Sequence, residues 1–209
     1  MTKVSISLMI TVMTVLLLIS AGIAGCTSPA LSPQVLPVSP VPVQKLSTAA
    51  PAEMALQPSD VPADFILLEK GERNVSEMRN WSLEHGWKGG YYASYQKQDG
   101  KVSSGVIFDQ SLSVYPVENI SLIVPDTLQL GKAWAARDSA NRSVEVDTSL
   151  PAIGDSSSAL KITDNSENSR EYLIAFVKQD VYMELYTNGT AADYETLKQL
   201  AGIAAAKIK

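Results

Sequence analysis

His85 is the one histidine in this 209-residue chain, so a metal site built on several histidines is excluded and a serine-type triad has a single candidate base. No Gly-x-Ser-x-Gly elbow accompanies it. Its place near the end of a helical pattern, just before Gly86, points to capping or packing. Carboxylates are the other reactive groups. Asp60, Asp64, Asp147, Asp155, Asp164 and Asp180 fall mainly in loops or at strand ends, where a pair could serve a hydrolase as acid and base and several could hold calcium. No EF-hand spacing is present, and loop acids ordinarily just meet water. The sequence therefore names no catalytic residue, no metal ligand and no cofactor. The remaining candidate is aromatic: Trp81, Trp87, Tyr91, Tyr92 and Tyr95 fall within fifteen residues, interrupted by Gly86, Gly89 and Gly90. Flat rings beside a permissive backbone suit a sugar or peptide surface, although most such rings are core. Trp81 and one face of the tyrosine run are expected to be buried, which leaves Trp87 and Tyr92 as the candidate binding surface.

The formal net charge is −5, and the nearest thing to a basic patch is Lys207 with Lys209 at the end of a predicted helix. A mildly acidic chain of this kind repels phosphates, so nucleic acid is excluded as a partner. The single cysteine, Cys26, follows Ile23-Ala24-Gly25 at the end of an apolar run from Val4 to Ala21, with Lys3 before it. This arrangement resembles the lipobox of prokaryotic lipoproteins, in which the cysteine becomes the first residue of the mature protein and its sulfur carries a diacylglyceryl group. The resemblance implies a signal peptide over residues 1–25, lipidation of Cys26 and a domain tethered to the cell membrane, facing outward. The length of the apolar run also fits an uncleaved transmembrane anchor, since about 20 such residues span a bilayer. One cysteine allows no internal disulfide, so stability has to come from a packed core.

Residues 26–57 read as a tether. Pro29, Pro33, Pro37, Pro40, Pro42 and Pro51 are spread through Ser, Thr, Val, Ala and Gln without aromatic residues or apolar period, and such a segment would hold a domain on the order of 30 to 90 Å from the membrane. The globular domain is expected over 58–209. Phe65 to Glu69 reads as a strand. Asn74 and Glu77 form a capping box for a helix over 75–85 that Gly86 stops. Gly89 and Gly90 are expected as a turn before a strand ending near Lys97, and Asp99-Gly100 as a hairpin turn. Val102 to Val114 alternates, with Phe108, Gln110 and Leu112 on one face and Asp109, Ser111 and Ser113 on a wetter one. A helical region broken at Pro125 follows, its second segment running from Thr127 to Ala140 with Leu130, Trp134 and Arg137 on one face. Arg170 to Val177 is apolar on both faces, hence a central strand covered on both sides. It pairs through Gln179-Asp180 with Val181 to Thr187. Thr190 to Asp193 reads as the cap of a closing helix with Tyr194, Leu197, Ala201, Ala204 and Ile208 as its stripe.

These elements make an α+β domain, with helices packed on a mainly antiparallel sheet of about six or seven strands. Their order, together with the turn Leu150-Pro151-Ala152-Ile153-Gly154-Asp155, resembles the PsbP-like α-β-α sandwich of several prokaryotic lipoproteins. That resemblance concerns the fold and implies a binding or accessory module. Five of the seven asparagines, Asn74, Asn80, Asn119, Asn141 and Asn188, stand in N-glycosylation sequons. Combined with the lipobox, they suggest an archaeal cell surface. The favoured function is a non-enzymatic surface domain for a glycan, peptide, solute or envelope-protein partner; the alternative is an extracytoplasmic hydrolase using the loop carboxylates, with or without a metal.

The anchor is directly testable. Two acyl chains supply about 0.8 kcal/mol of membrane affinity per buried methylene, so Cys26→Ser should give soluble or unprocessed protein where the wild type partitions into detergent. A processed, unlipidated variant that still sedimented with membranes would end the lipoprotein reading.

Overall fold

The computed structural model describes residues 46–98, 105–138 and 141–209. Cys26, the apolar segment before it, most of the expected tether and the Asp99-Gly100 turn lie outside the described residues. Alternation sets the centre of the sheet. In β3 (Ile107–Val114) Phe108, Gln110 and Leu112 are buried on one face, while Asp109 and Ser111 are only half-buried on the other. In β6 (Ser169–Lys178) Ile174 and Phe176 bury on one face, Ala175 and Val177 on the other, as a strand covered on both sides requires. With β1 (Phe65–Glu72), β2 (Gly89–Lys97), β4 (Arg142–Val146), β5 (Ser156–Asp164) and β7 (Val181–Gly189), these form a seven-stranded antiparallel sheet in the order β1-β2-β3-β7-β6-β5-β4. It consists of two meanders, β1 to β3 and β4 to β7, joined where β3 meets β7.

Helices cover both faces. On one, α1 (Pro51–Met54) and α4 (Tyr194–Lys207) close the main core, where Tyr95, Phe108, Phe176, Met183 and Leu185 meet Leu197, Leu200, Ala201 and Ala204. On the other, α3 (Ile120–Ala135) packs against β4 to β7, and Ile120, Ile123 and Val124 join Tyr115, Ala175, Val177 and Tyr182 in a smaller cluster that Trp81 and Trp87 flank. Gly131 lets α3 approach the sheet closely: a Cβ there would come 2.6 Å from Leu160 Cδ1.

Several expectations are corrected. Residues 46–57 belong to the domain. Met54 and Leu56 are fully buried, Leu56 N–H donates to Gln110 Oε1 at 2.8 Å, and Leu56 O accepts from Tyr95 OH at 2.8 Å. Their apolar residues showed no period because the segment is a strap with one short helix, Pro51 at its start. The 75–85 helix is a 3-10 turn, Val75–Glu77, then α2, Asn80–Glu84. Glu77 turns back to the Asn74 amide as a capping box demands, but Arg79 is extended (φ −67°, ψ 148°) and starts a new helix. Gly86, at φ +80°, makes the turn. Gly89 and Gly90 instead open β2, and a Cβ on Gly90 would collide with Leu112 O. α3 runs unbroken through Pro125, which is exposed and sits near the helix start; the carbonyl it leaves unpaired, on Ser121, belongs to an exposed residue. Leu130, Trp134 and Arg137 lie on its outer side, and Trp134 is covered by the Arg142 guanidinium 4.5 Å from its ring centroid. Asp193, not Thr190, caps α4, accepting from the amides of Glu195 and Thr196. β4, which the sequence did not announce, is an edge strand whose Val144 is exposed.

β4 is held by charge. Arg142 pairs with Asp164 at 3.0 Å and with Glu171 at 3.3 Å. The Ser166 hydroxyl first, then Arg142 and the amides of Glu167 and Ser166, hold the Asp164 carboxyl down at about 2 against the opposing effect of desolvation. A depressed folded-state pKa contributes stability above the unfolded value of 3.8 and loses it as pH falls through about 2. Two outcomes follow. Met54→Ala should cost about 2–5 kcal/mol in urea unfolding, as for a core residue, whereas a tether residue would cost nothing. Asp164→Asn should be less stable at neutral pH, with a flatter loss between pH 4 and 2 when acid unfolding is followed by circular dichroism.

Candidate functional site

α3 covers the β4 to β7 half of its face, and beside it the sheet is open. There, a groove of about 360 Å³ lies over β1, β2, β3 and β7. Its floor is two cross-strand rows set by register: Tyr92, Ser111 and Glu184 in one, Ser94, Asp109 and Tyr186 in the next. Glu69, opposite Ser94 on β1, and Arg73 and Glu77 beyond the end of β1 complete its wall. The polar side of β3 read from the sequence is therefore the floor of this open part of the face.

Neutral donors hold the floor. Ser94 Oγ donates to Asp109 Oδ1 at 2.5 Å. Tyr182 OH donates to Glu184 Oε2 at 2.7 Å and lies 2.9 Å from Thr127 Oγ1 on α3. Burial, and then the Glu184 charge, push the Tyr182 phenol well above its ordinary value, so it stays protonated as a donor. Tyr186 OH donates to Glu171 Oε2 at 2.8 Å and is likewise raised by burial and by Glu171, which links the floor to the Arg142 network. At the wall, Arg73 Nη2 donates to Ser111 Oγ at 3.4 Å and its guanidinium stands 5.0 Å from the Tyr92 ring centroid. Glu77 Oε2 accepts from the Asn74 amide at 3.3 Å. Among the described residues no cation forms an ion pair with Glu69, Glu77, Asp109 or Glu184. Four carboxylates thus face one guanidinium, and the concave wall concentrates their negative potential.

The residues singled out by sequence divide. Tyr92 lines the groove. Trp87 does not: its ring packs on the smaller core cluster and Nε1 donates to Ser113 Oγ at 3.1 Å. His85 ends α2 with Nδ1 2.8 Å from Trp81 O, its ring 4.6 Å from the Trp81 ring and Nε2 3.8 Å from Asp126. The loop aspartates scatter. Asp60 meets Lys207 and the Gln57 amide, Asp64 meets Lys97, and Asp147 takes Ser149, Tyr194 and Lys161. Asp155 caps the Gln179 amide, Asp164 binds Arg142, and Asp180 takes the Ser47 amide. Among the described residues no group of three or more His, Cys, Asp or Glu side chains is placed to hold a metal ion. Asn74, Asn80 and Asn141 are exposed, Asn119 and Asn188 half-buried. Sequence reasoning missed Glu69, Arg73, Glu77, Ser94, Glu184 and Tyr186 as one site. The wet face of β3 was the available signal, but nothing local says which strands will lie beside it or which helix will leave it open.

No family model and no curated protein matches the chain. Among solved structures it is similar to the extracellular domain of PknH from Mycobacterium tuberculosis, at 12% identity and a TM-score of 0.51, over 76% of this chain and 94% of that one. At that identity the likeness is one of fold.

Proposed function

We propose that this chain is a non-enzymatic binding module displayed outside the cytoplasm, anchored by lipid on Cys26, with the groove over β2, β3 and β7 as its ligand site. The observation that carries the reading is the groove itself: it is concave and lined by carboxylates, serines and tyrosines pinned by their own hydrogen bonds, which is preorganisation for a polar ligand. The lipobox resemblance and a structural neighbour that is an extracellular domain support the location. Acceptors outnumber donors on the wall, so the fitting ligand is a small, donor-rich solute, an amino sugar or polyamine, whose ammonium would meet Glu184, Asp109 or Glu69. The hydrolase alternative loses its residues, since each loop aspartate is tied to a structural partner away from the groove.

Calorimetric titration with a panel of amino sugars and polyamines tests this. Asp109→Asn and Glu184→Gln keep the shape and one acceptor oxygen each but remove the charge, and together they should weaken binding at least roughly tenfold, the scale of a lost charge-assisted hydrogen bond. Tyr92→Ala should weaken it as well. A panel ligand bound equally well by wild type and by the Asp109/Glu184 double variant would refute the groove as the site.

A further inference from the structure

We propose that three of the five sequon asparagines, Asn74, Asn80 and Asn141, carry N-linked glycans in the native protein and that Asn119 and Asn188 do not. The step is the transfer of a sugar from a lipid-linked phosphate donor by an extracytoplasmic transferase. The bond from Asn Nδ2 to the sugar C1 forms and the donor's C1–O bond breaks. The lipid phosphate leaves with the electron pair, and one amide proton passes to the transferase. Sequence gives the five sites equal standing; the fold separates them by exposure and by the residues packed around each side chain.

Asn74 is exposed, and its Oδ1 accepts from both the amide and the hydroxyl of Ser76, each at 3.1 Å. The carbonyl end is thus turned into the capping turn and Nδ2 is the end turned away from it. The third residue of the sequon already touches the acceptor amide. Asn80 is exposed at the first position of α2, and Asn141 is exposed in the turn that enters the edge strand β4. Asn119 differs. Its Nδ2 donates to His85 O at 3.0 Å, in the crevice where α2 ends against the start of α3, and lies 3.8 Å from where a Gly86 side chain would begin. A glycan there would remove that bond and wedge α2 from α3. Asn188 is half-buried on β7 between Ile107 of β3 and Glu171 of β6, two residues from Tyr186 and on the same face of the sheet. Its side chain stands perpendicular to the sheet in one row with Ile107 and Glu171, so a glycan there would have to be seated among these neighbours and Tyr186.

The consequence reaches the groove. Asn74 lies between Arg73 and Glu77 in sequence, both wall residues, so a glycan on it stands at the groove's end and favours small ligands over extended ones. The site assignment itself does not depend on what the groove binds.

Glycopeptide mass mapping of the anchored protein purified from its native host is the test. The expected result is glycan increments on Asn74, Asn80 and Asn141, with bare Asn119 and Asn188. Ser76→Ala, Asn80→Gln and Ser143→Ala should each remove one increment while near-ultraviolet circular dichroism stays unchanged, which separates loss of a sequon from loss of the fold. Bare polypeptide at the three exposed sites, or a glycan on Asn119 or Asn188 in folded protein, would overturn the proposal.

Discussion

The pairing of β3 with β7 is the constraint on which the rest depends. It joins residues more than 65 positions apart, Val114 to Val181 at one end and Ile107 to Asn188 at the other, and so turns two local meanders into one sheet. Such a contact closes a long loop and has to be repaid by burial along its whole length. Phe108 and Leu112 provide that on β3, and Met183 and Leu185 on β7. The same register sets Asp109 beside Tyr186 and Ser111 beside Glu184. A slip by one residue would send these polar groups into the core and Phe108 and Leu112 to the open face, so the composition of the groove and the stability of the sheet are fixed by one set of hydrogen bonds.

What was legible in the sequence was what short-range physics decides. Alternation along β3, the two apolar faces of β6 and the Asn74–Glu77 capping box each depend on a few neighbouring residues, and each is present. The α+β class followed from them. The misread segments were decided by distant partners. Residues 46–57 look like linker until Gln110 and Tyr95 are beneath them. Trp134 shares a helix face with Leu130 and Arg137, and it takes Arg142 of β4, stacked on its ring, to show that this face lies at the surface. Trp87 and Tyr92 are five residues apart, yet one is packed and the other lines the groove, because a helix reaches only one of them.

The two populations of acids illustrate the same difference. Some aspartates organise turns and helix starts, Asp164 by accepting from Ser166 and Glu167 and Asp193 by accepting from Glu195 and Thr196, and others, such as Asp60 with Lys207, tie distant segments. The strand acids Asp109 and Glu184 are bound by neutral hydroxyls that orient them without cancelling their charge. An acid neutralised by a cation is a strut; one held by hydroxyls keeps its negative potential available in the groove.

The strap ties these levels together. Gln110 sits between Asp109 and Ser111 on β3, so while its neighbours face the groove its own side chain points into the main core, accepting from Leu56 N–H at 2.8 Å and reaching Met183 Sδ with Nε2 at 2.7 Å. Tyr95, one residue beyond Ser94 on β2, does the same with Leu56 O. The underside of the groove floor is therefore clamped by the segment through which the chain enters the domain, and that segment is pinned at its start by Ser47 to Asp180 and Thr48 to Lys209. A load on the N-terminal side of Ser47 meets these outer bonds before it reaches Leu56. Because Leu56 is buried with both its amide and its carbonyl engaged, moving it would leave Gln110 Oε1 and Tyr95 OH without their partner in the core, a cost of about 1–3 kcal/mol for each buried polar group left unpaired. The floor stays rigid because the strap that enters the domain also completes the hydrogen bonding beneath it.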